Sequence, residues 1–326
     1  MIIKTDLLHS IIEEILRKNG ASSINASIVA DEIIFAQIRG KKSHGIPMLP
    51  SMVKRVQKTD EGILVIKESN QFAFIDGCNG IGPVVAKKAM DISINKTLEY
   101  GFSLVAVKNP SPFITAGYPV WYAAKHHKLI AFDTSVAKSK VAPYGSSEAV
   151  FGTNPIGFAF PTDDYPIVID MSTTNIAAAR IKQAAEQGIE IPNNVAINNN
   201  GEFTTDPNEA LKGALVTFGG YKGSAISLIV ELMAGAFLDE KCGNANGDIR
   251  TMLFFTIDPN LCANANKVLD NATNLRNEIN SSTHISGFIP RTPGDRAQRL
   301  MQDALANGIE LSEVEKAIMN KYGANL

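Results

Sequence analysis

The chain has 326 residues, a net charge of −2, 45% hydrophobic residues and 20% charged residues. That balance belongs to a globular protein long enough for two lobes or one large α/β domain. Neither half carries a basic block, which argues against nucleic-acid binding by phosphate neutralisation.

The opening stretch MIIKTDLLHSIIEEILRKNG is amphipathic and acidic in its middle, unlike the uninterrupted apolar core of a secretory signal. Its apolar residues Leu7, Leu8, Ile11, Ile12, Ile15 and Leu16 fall on one helical stripe over residues 5–19, and Gly20 stops it. Residues 25–39 repeat the pattern up to Gly40. KKSHGIPMLP follows, with His44 just beyond a helix end in a segment that Pro47 and Pro50 keep from being regular helix throughout. Taken alone, His44 is either a proton-transfer group or a polar residue at a helix end.

Residues 62–77 alternate like two strands around Glu68-Ser69-Asn70. Residues 81–100 read as a helix, 101–109 as a buried strand, 116–127 as a helix and 129–135 as a strand. PIGFAFP and PIVIDMS are two more short strands, and 175–187 is an alanine-rich helix. The stretch 188–223 is rich in Asn, Gly and Pro and reads as a surface excursion. Residues 224–238 form the most apolar helix, expected at the centre of the fold. A late strand, IRTMLFFTID, precedes helices near 259–280, 295–307 and 311–322. The interleaving predicts an α/β or α+β fold, a sheet covered by helices. Apolar runs stop short of the roughly 20 residues of a membrane span, so no transmembrane helix is expected. Cys78, Cys242 and Cys262 are odd in number and widely spaced, which suits reduced thiols in a cytoplasm. No CxxC or HxxxH pattern suggests a metal.

Neither GxGxxG after a strand nor GxxxxGK[ST] occurs, so the usual nucleotide fingerprints are missing. Three other clusters carry chemistry. FGTNP (151–155) brings Asn154. IDMSTT (169–174) ends a strand with Asp170 and then offers Ser172, Thr173 and Thr174 where a helix is expected to start. Those hydroxyls either cap the helix or help its free N–H groups hold an anion. GGYKGS (219–224) offers close backbone approach at Gly223 and a cation at Lys222, beside Tyr221. It reads as a phosphate or carboxylate site, or as a glycine-rich turn with a solvated lysine.

SHGI, AGY, PYG, FGTNP, IDMSTT, IP…G…TTDP, GGYKG and PGDR occur in this order between residues 43 and 296, within a likeness that runs from about residue 7 to residue 320. The series resembles the malate/L-lactate dehydrogenase type 2 family, which includes ureidoglycolate, sulfolactate and diketogulonate oxidoreductases and cyclic ketimine reductases. The resemblance implies an NAD- or NADP-dependent oxidoreductase of 2-oxo acids or cyclic imine acids. It implies an α/β fold with a mixed sheet covered by helices, special to the family and not Rossmann. The two lobes would be a smaller one from residues 1–110 and 288–326 and a cofactor lobe from 111–287. A cytoplasmic homodimer with the site near the subunit interface is expected.

Carried over by motif, His44 is the proton donor, and Asp170 could orient it or the nicotinamide ribose. Ser172, Thr173, Thr174, Tyr221, Lys222, Gly223, Gly294, Asp295 and Arg296 are the cofactor-binding candidates. Ser43, Met48 and Asn154 are candidates for the substrate side. An imidazole with an ordinary pKa of about 6.5 suits proton delivery to a C=O or C=N that accepts a hydride.

The chain departs from its resemblance at Met48, where many relatives have an arginine, and at Pro112, where they have a second histidine. Val195 replaces a common tryptophan, and Arg180 stands at a lysine position. A substrate carboxylate would then be held elsewhere, by Arg55, Lys138, Lys140 or Arg180, or the substrate would be larger, less polar or an imine, against Met48 and Phe113. A protein that keeps the cofactor but has lost catalysis is the alternative.

Overall fold

The computed structural model describes residues 2–57, 62–262 and 264–326. After the two-residue β1 (Ile2–Ile3), the two N-terminal stripes form α1 (Thr5–Lys18) and α2 (Ser23–Ile38). The Ser22 side chain caps α2 by accepting from the Asn25 N–H. The two prolines divide the next stretch into 3-10 turns at Lys42–His44 and Ile46–Met48, then α3 (Leu49–Val56). Pro50 sits in the first turn of α3, where its missing N–H costs no hydrogen bond.

β2 (Leu64–Glu68) and β3 (Phe72–Asp76) form an antiparallel hairpin. The crossover helix α4 (Gly82–Tyr100) then lets β4 (Phe102–Lys108) run parallel to β3. α5 (Gly117–His127) leads into β5 (Ile130–Val136), β6 (Val141–Ala142), β7 (Ile156–Phe160) and β8 (Ile167–Met171). α6 (Ala178–Gln187) starts later than the sequence reading placed it. β9 (Ala196–Ile197), α7 (Pro207–Lys212) and β10 (Ala214–Val216) follow. The excursion over 188–223 thus has structure of its own: β6, β10 and β9 make a three-stranded sheet over the buried residues Ile181, Ile191 and Leu215. α8 (Tyr221–Ala234), β11 (Thr251–Ile257), α9 (Ala265–Ser281), α10 (Asp295–Asn307), β12 (Ile309–Glu310) and α11 (Glu313–Asn320) complete the chain.

The main sheet has seven strands in the order β2-β3-β4-β11-β5-β7-β8. Its largely buried strand β11 lies between β4 and β5, antiparallel to both. This pairing crosses residue 110, so the expected division there cuts through one sheet. Leu8, Ile12, Ile33, Ile46, Leu49 and Met52 form one apolar cluster with Ala304, Leu311 and Met319 from the other chain end. β1 pairs with β12 and ties the two ends together.

α8 is not central. Gly223, Ser227, Val230, Glu231 and Ala234 are buried, whereas Leu228, Ile229, Leu232 and Met233 are exposed. By length and hydropathy alone, Tyr221–Leu238 matches a membrane span, contrary to the sequence reading, although its inward face carries Ser227 and Glu231.

Candidate active site

His44 ends the first 3-10 turn and looks into a cavity of about 440 Å³. The cavity lies where this turn meets the segment before α5 and the ends of β5 and β8, and Phe113, Ser135, Thr153 and Asp170 line it. The Ser43 hydroxyl is 2.9 Å from His44 Nδ1, which orients the ring and leaves Nε2 for a reactant. Burial and the neighbouring Lys41 charge push the His44 pKa below its ordinary value, and the Asp170 charge opposes them.

Lys41 fixes the floor of the cavity. Its Nζ lies 2.5 Å from Asp170 Oδ2 and donates to the Asp170 carbonyl at 3.0 Å. Asp170 can approach because Gly117 faces it. A Cβ at Gly117 would come 2.5 Å from Oδ2. Behind this pair sit two further acids. Glu32 Oε1 accepts the Ile114 and Thr115 N–H groups, at 3.0 and 2.5 Å, and so pins a cavity wall to α2. Burial pushes the Glu32 carboxyl up to about 8. Asp133 is buried on β5, and burial with the Asp170 and Glu32 charges pushes its carboxyl well up.

A second cavity, about 360 Å³, shares Lys41, Asp170 and Met171 with the first, so the two adjoin at these residues. Gly294 and Arg296 line it at the start of α10. Gly294 has φ +94°, and a Cβ there would lie 2.4 Å from the Val168 carbonyl oxygen, so only glycine brings α10 this close to β8. Asp295 turns the other way: it is buried and accepts from Asn280 Nδ2.

Ser172 and Thr174 line the first cavity with hydroxyls 2.6 Å apart. They do not cap a helix, because α6 begins at Ala178 with Ala177 as an uncapped N-cap. It is Ala177, Ala178 and Ala179 that reach the cavity, bringing the free N–H groups of the helix start. Thr173 points inward, bonded to Ser227 and to the Thr153 carbonyl. That bond and the Thr174–Thr217 bridge seat the GGYKG segment beside the 172–174 loop. Tyr221 stacks edge-on against Tyr144 and Gly223 is buried in the first turn of α8, but neither lines the cavity, nor does Lys222.

The substrate-side candidates separate. Ser43 orients His44. Asn154 is fully buried with φ +40° and donates to Glu231 and the Ser227 carbonyl, a packing role. Met48 packs against the helical cluster and does not line the cavity. Pro112 and Phe113 do line it, as an apolar wall. Lys138, Lys140 and Arg180 are exposed and do not line it, and Lys138 lies 3.6 Å from Asp248. Two charged lining residues, Lys41 and Arg250, were not singled out in the sequence, where Arg250 falls inside the strand IRTMLFFTID.

A mixed sheet under helices, with a histidine, a lysine and an aspartate gathered on one cavity, defines a protein equipped for acid–base work on a small molecule. The chain belongs to the malate/L-lactate dehydrogenase family, whose sequence profile matches residues 3–319. That places it among dehydrogenases and reductases acting on CH–OH or CH–NH groups. It is 34% identical to the malate/(S)-sulfolactate dehydrogenase of Methanothermus fervidus, over 97% of this chain and 96% of that one. It is 32% identical to a Δ1-pyrroline-2-carboxylate reductase of Burkholderia ambifaria, over 74% and 72% of the two chains. Its fold matches the structure of sulfolactate dehydrogenase from Methanocaldococcus jannaschii with a TM-score of 0.87 and 31% identity, covering 99% of this chain and 96% of that one.

Proposed function

We propose that the chain is an NAD(P)H-dependent reductase of a 2-oxo acid or cyclic imine acid, able to run the reverse oxidation, with His44 as the proton donor. The observation that carries this is the position of His44 on a cavity that adjoins a second one at Lys41 and Asp170.

The residues present fit a nicotinamide dinucleotide. The two adjoining cavities would give it length, and the sterically closed Gly294 and the Arg296 cation give a backbone cradle and a charge for phosphate at the start of α10. Ser172 and Thr174 supply hydroxyls for a ribose, and the start of α6 supplies N–H groups. When bound, the nicotinamide supplies the hydride. His44 delivers a proton to the substrate oxygen or nitrogen, Ser43 sets its ring, and the Lys41–Asp170 pair fixes the turn that carries it. The site would not be of Rossmann type: of the six pairings in the main sheet only β3–β4 is parallel.

The exposed apolar face of α8 supports a homodimer, the assembly the family resemblance implies, with a second copy covering that face. Three free cysteines favour a reducing compartment such as the cytoplasm.

The test is equilibrium titration with NADH and NADPH, followed by steady-state assays with a panel of 2-oxo acids and cyclic imine carboxylates. Micromolar binding of one cofactor and its oxidation by at least one acid are expected. Binding of neither, in a folded protein, would remove the proposal.

A further inference from the structure

Three basic residues line the first cavity among the described residues: Lys41, His44 and Arg250. Lys41 is committed to Asp170, and His44 is the proton donor in the reading above. Arg250 is different. It stands just before β11, where its carbonyl accepts the Asn109 N–H, and its guanidinium makes no hydrogen bond or ion pair among the described residues. Arg55, at the end of α3, lies close enough for its positive charge to bear on Arg250. The Nε of Arg55 is itself buried without a hydrogen-bond partner.

Arg250 thus lines a partly enclosed cavity with the positive charge of Arg55 within electrostatic reach of it. Burial and mutual repulsion both push the Arg250 pKa down. The carboxylate that opposes them, Asp248, is 85% exposed and lies 3.6 Å from Lys138. Removing cations from water is unfavourable unless an anion compensates, and here the protein provides little compensation of its own. A planar guanidinium is matched to a carboxylate by two parallel N–H···O bonds.

We propose that Arg250, with Arg55 beside it, is the anchor for the carboxylate of the substrate, holding the acid so that its neighbouring C=O or C=N faces His44. The assignment rests on the reading of this cavity as an acid-reductase site. It makes Arg250 a specificity-determining residue: an acid enters with its carboxylate toward the start of β11, along the apolar wall of Pro112 and Phe113.

The test uses oxalate as the probe, titrated by calorimetry into the full chain with NADH or NADPH present, beside Arg250→Gln and Arg250→Lys. Oxalate should bind the wild type, bind Arg250→Gln roughly ten- to hundred-fold more weakly, and be partly recovered by Arg250→Lys. Cofactor affinity should be the same in all three. For any 2-oxo acid that is turned over, KM should rise in Arg250→Gln by the same factor. Equal oxalate affinity in wild type and Arg250→Gln, or no oxalate binding to the wild type, would overturn the assignment. The two proposals fail separately. Arg250-dependent oxalate binding without reduction of any acid would sink the reductase reading and leave the anchor. Reduction with an unchanged KM in Arg250→Gln would do the reverse.

Discussion

Lys41 and Asp170 meet across 129 residues of sequence, with the lysine Nζ 2.5 Å from the carboxylate and 3.0 Å from the carbonyl oxygen of the same residue. The contact joins the turn that carries His44 to the end of β8. It therefore sets the distance between the helical cluster and the sheet at the point where the two cavities adjoin. Asp170 is only 13% exposed, so loss of its partner would strand a largely buried charge. Lys41→Met should cost about 1–3 kcal/mol of stability in denaturant unfolding, below the range for a fully buried pair because Lys41 is 36% exposed. It should also lower kcat/KM by misplacing His44. Wild-type stability in this variant would show that the pair does not hold the turn.

Glu32 is the buried acid whose titration has a readable sign. Its folded pKa of about 8 lies above the ordinary carboxylate value because burial disfavours the charge, against the two backbone donors that favour it. The folded state therefore holds this proton more tightly than the unfolded one. The stability that follows is full below the ordinary carboxylate pKa and is lost as pH rises through about 8. Glu32→Gln keeps an acceptor for the Ile114 and Thr115 N–H groups and removes the titration. Its Tm should fall less than that of the wild type on going from about pH 6 to about pH 9. Parallel Tm curves would show that Glu32 is not the group responsible.

The outward face of α8 carries Ile229 and Leu232, 58% and 52% exposed. If a second copy covers it, Ile229→Glu with Leu232→Glu should convert a dimer into a folded monomer by light scattering. A wild-type monomer, or a double variant with the mass of the dimer, would contradict the assembly.

Much of the chain was legible in its sequence, and the exceptions share a cause. The 3.6-residue spacing marked α1, which buries Leu8, Ile12, Ile15 and Leu16 on one face, and alternation marked β3, which buries Ala73 and Ile75; β2 carries the same pattern but is exposed throughout. α8 misled because apolar residues all round a helix read as a core helix, whereas here only one side meets the sheet. The motif order brought His44, Asp170, Ser172, Thr174, Gly294 and Arg296 to the two adjoining cavities. Thr173, Asn154 and Asp295 share those motifs but face inward, a distinction made by side-chain direction and not by position. Lys41 and Arg250 gave no signal, since a charged residue beside a helix or strand end is usually solvated. Only the fold places them on the same cavity.

The central claim is that His44 delivers the proton. Its lowered pKa sets the direction of the pH dependence: reduction needs the imidazolium, so kcat/KM should fall as pH rises through a value below 6.5, and the reverse oxidation should rise there. The most direct measurement is turnover by His44→Ala with NADH or NADPH and an acid the wild type reduces, alongside cofactor affinity. Turnover should drop by roughly 10²–10⁴ with cofactor affinity nearly unchanged. A variant that turns over as fast as the wild type would contradict the account and take His44 out of the reaction.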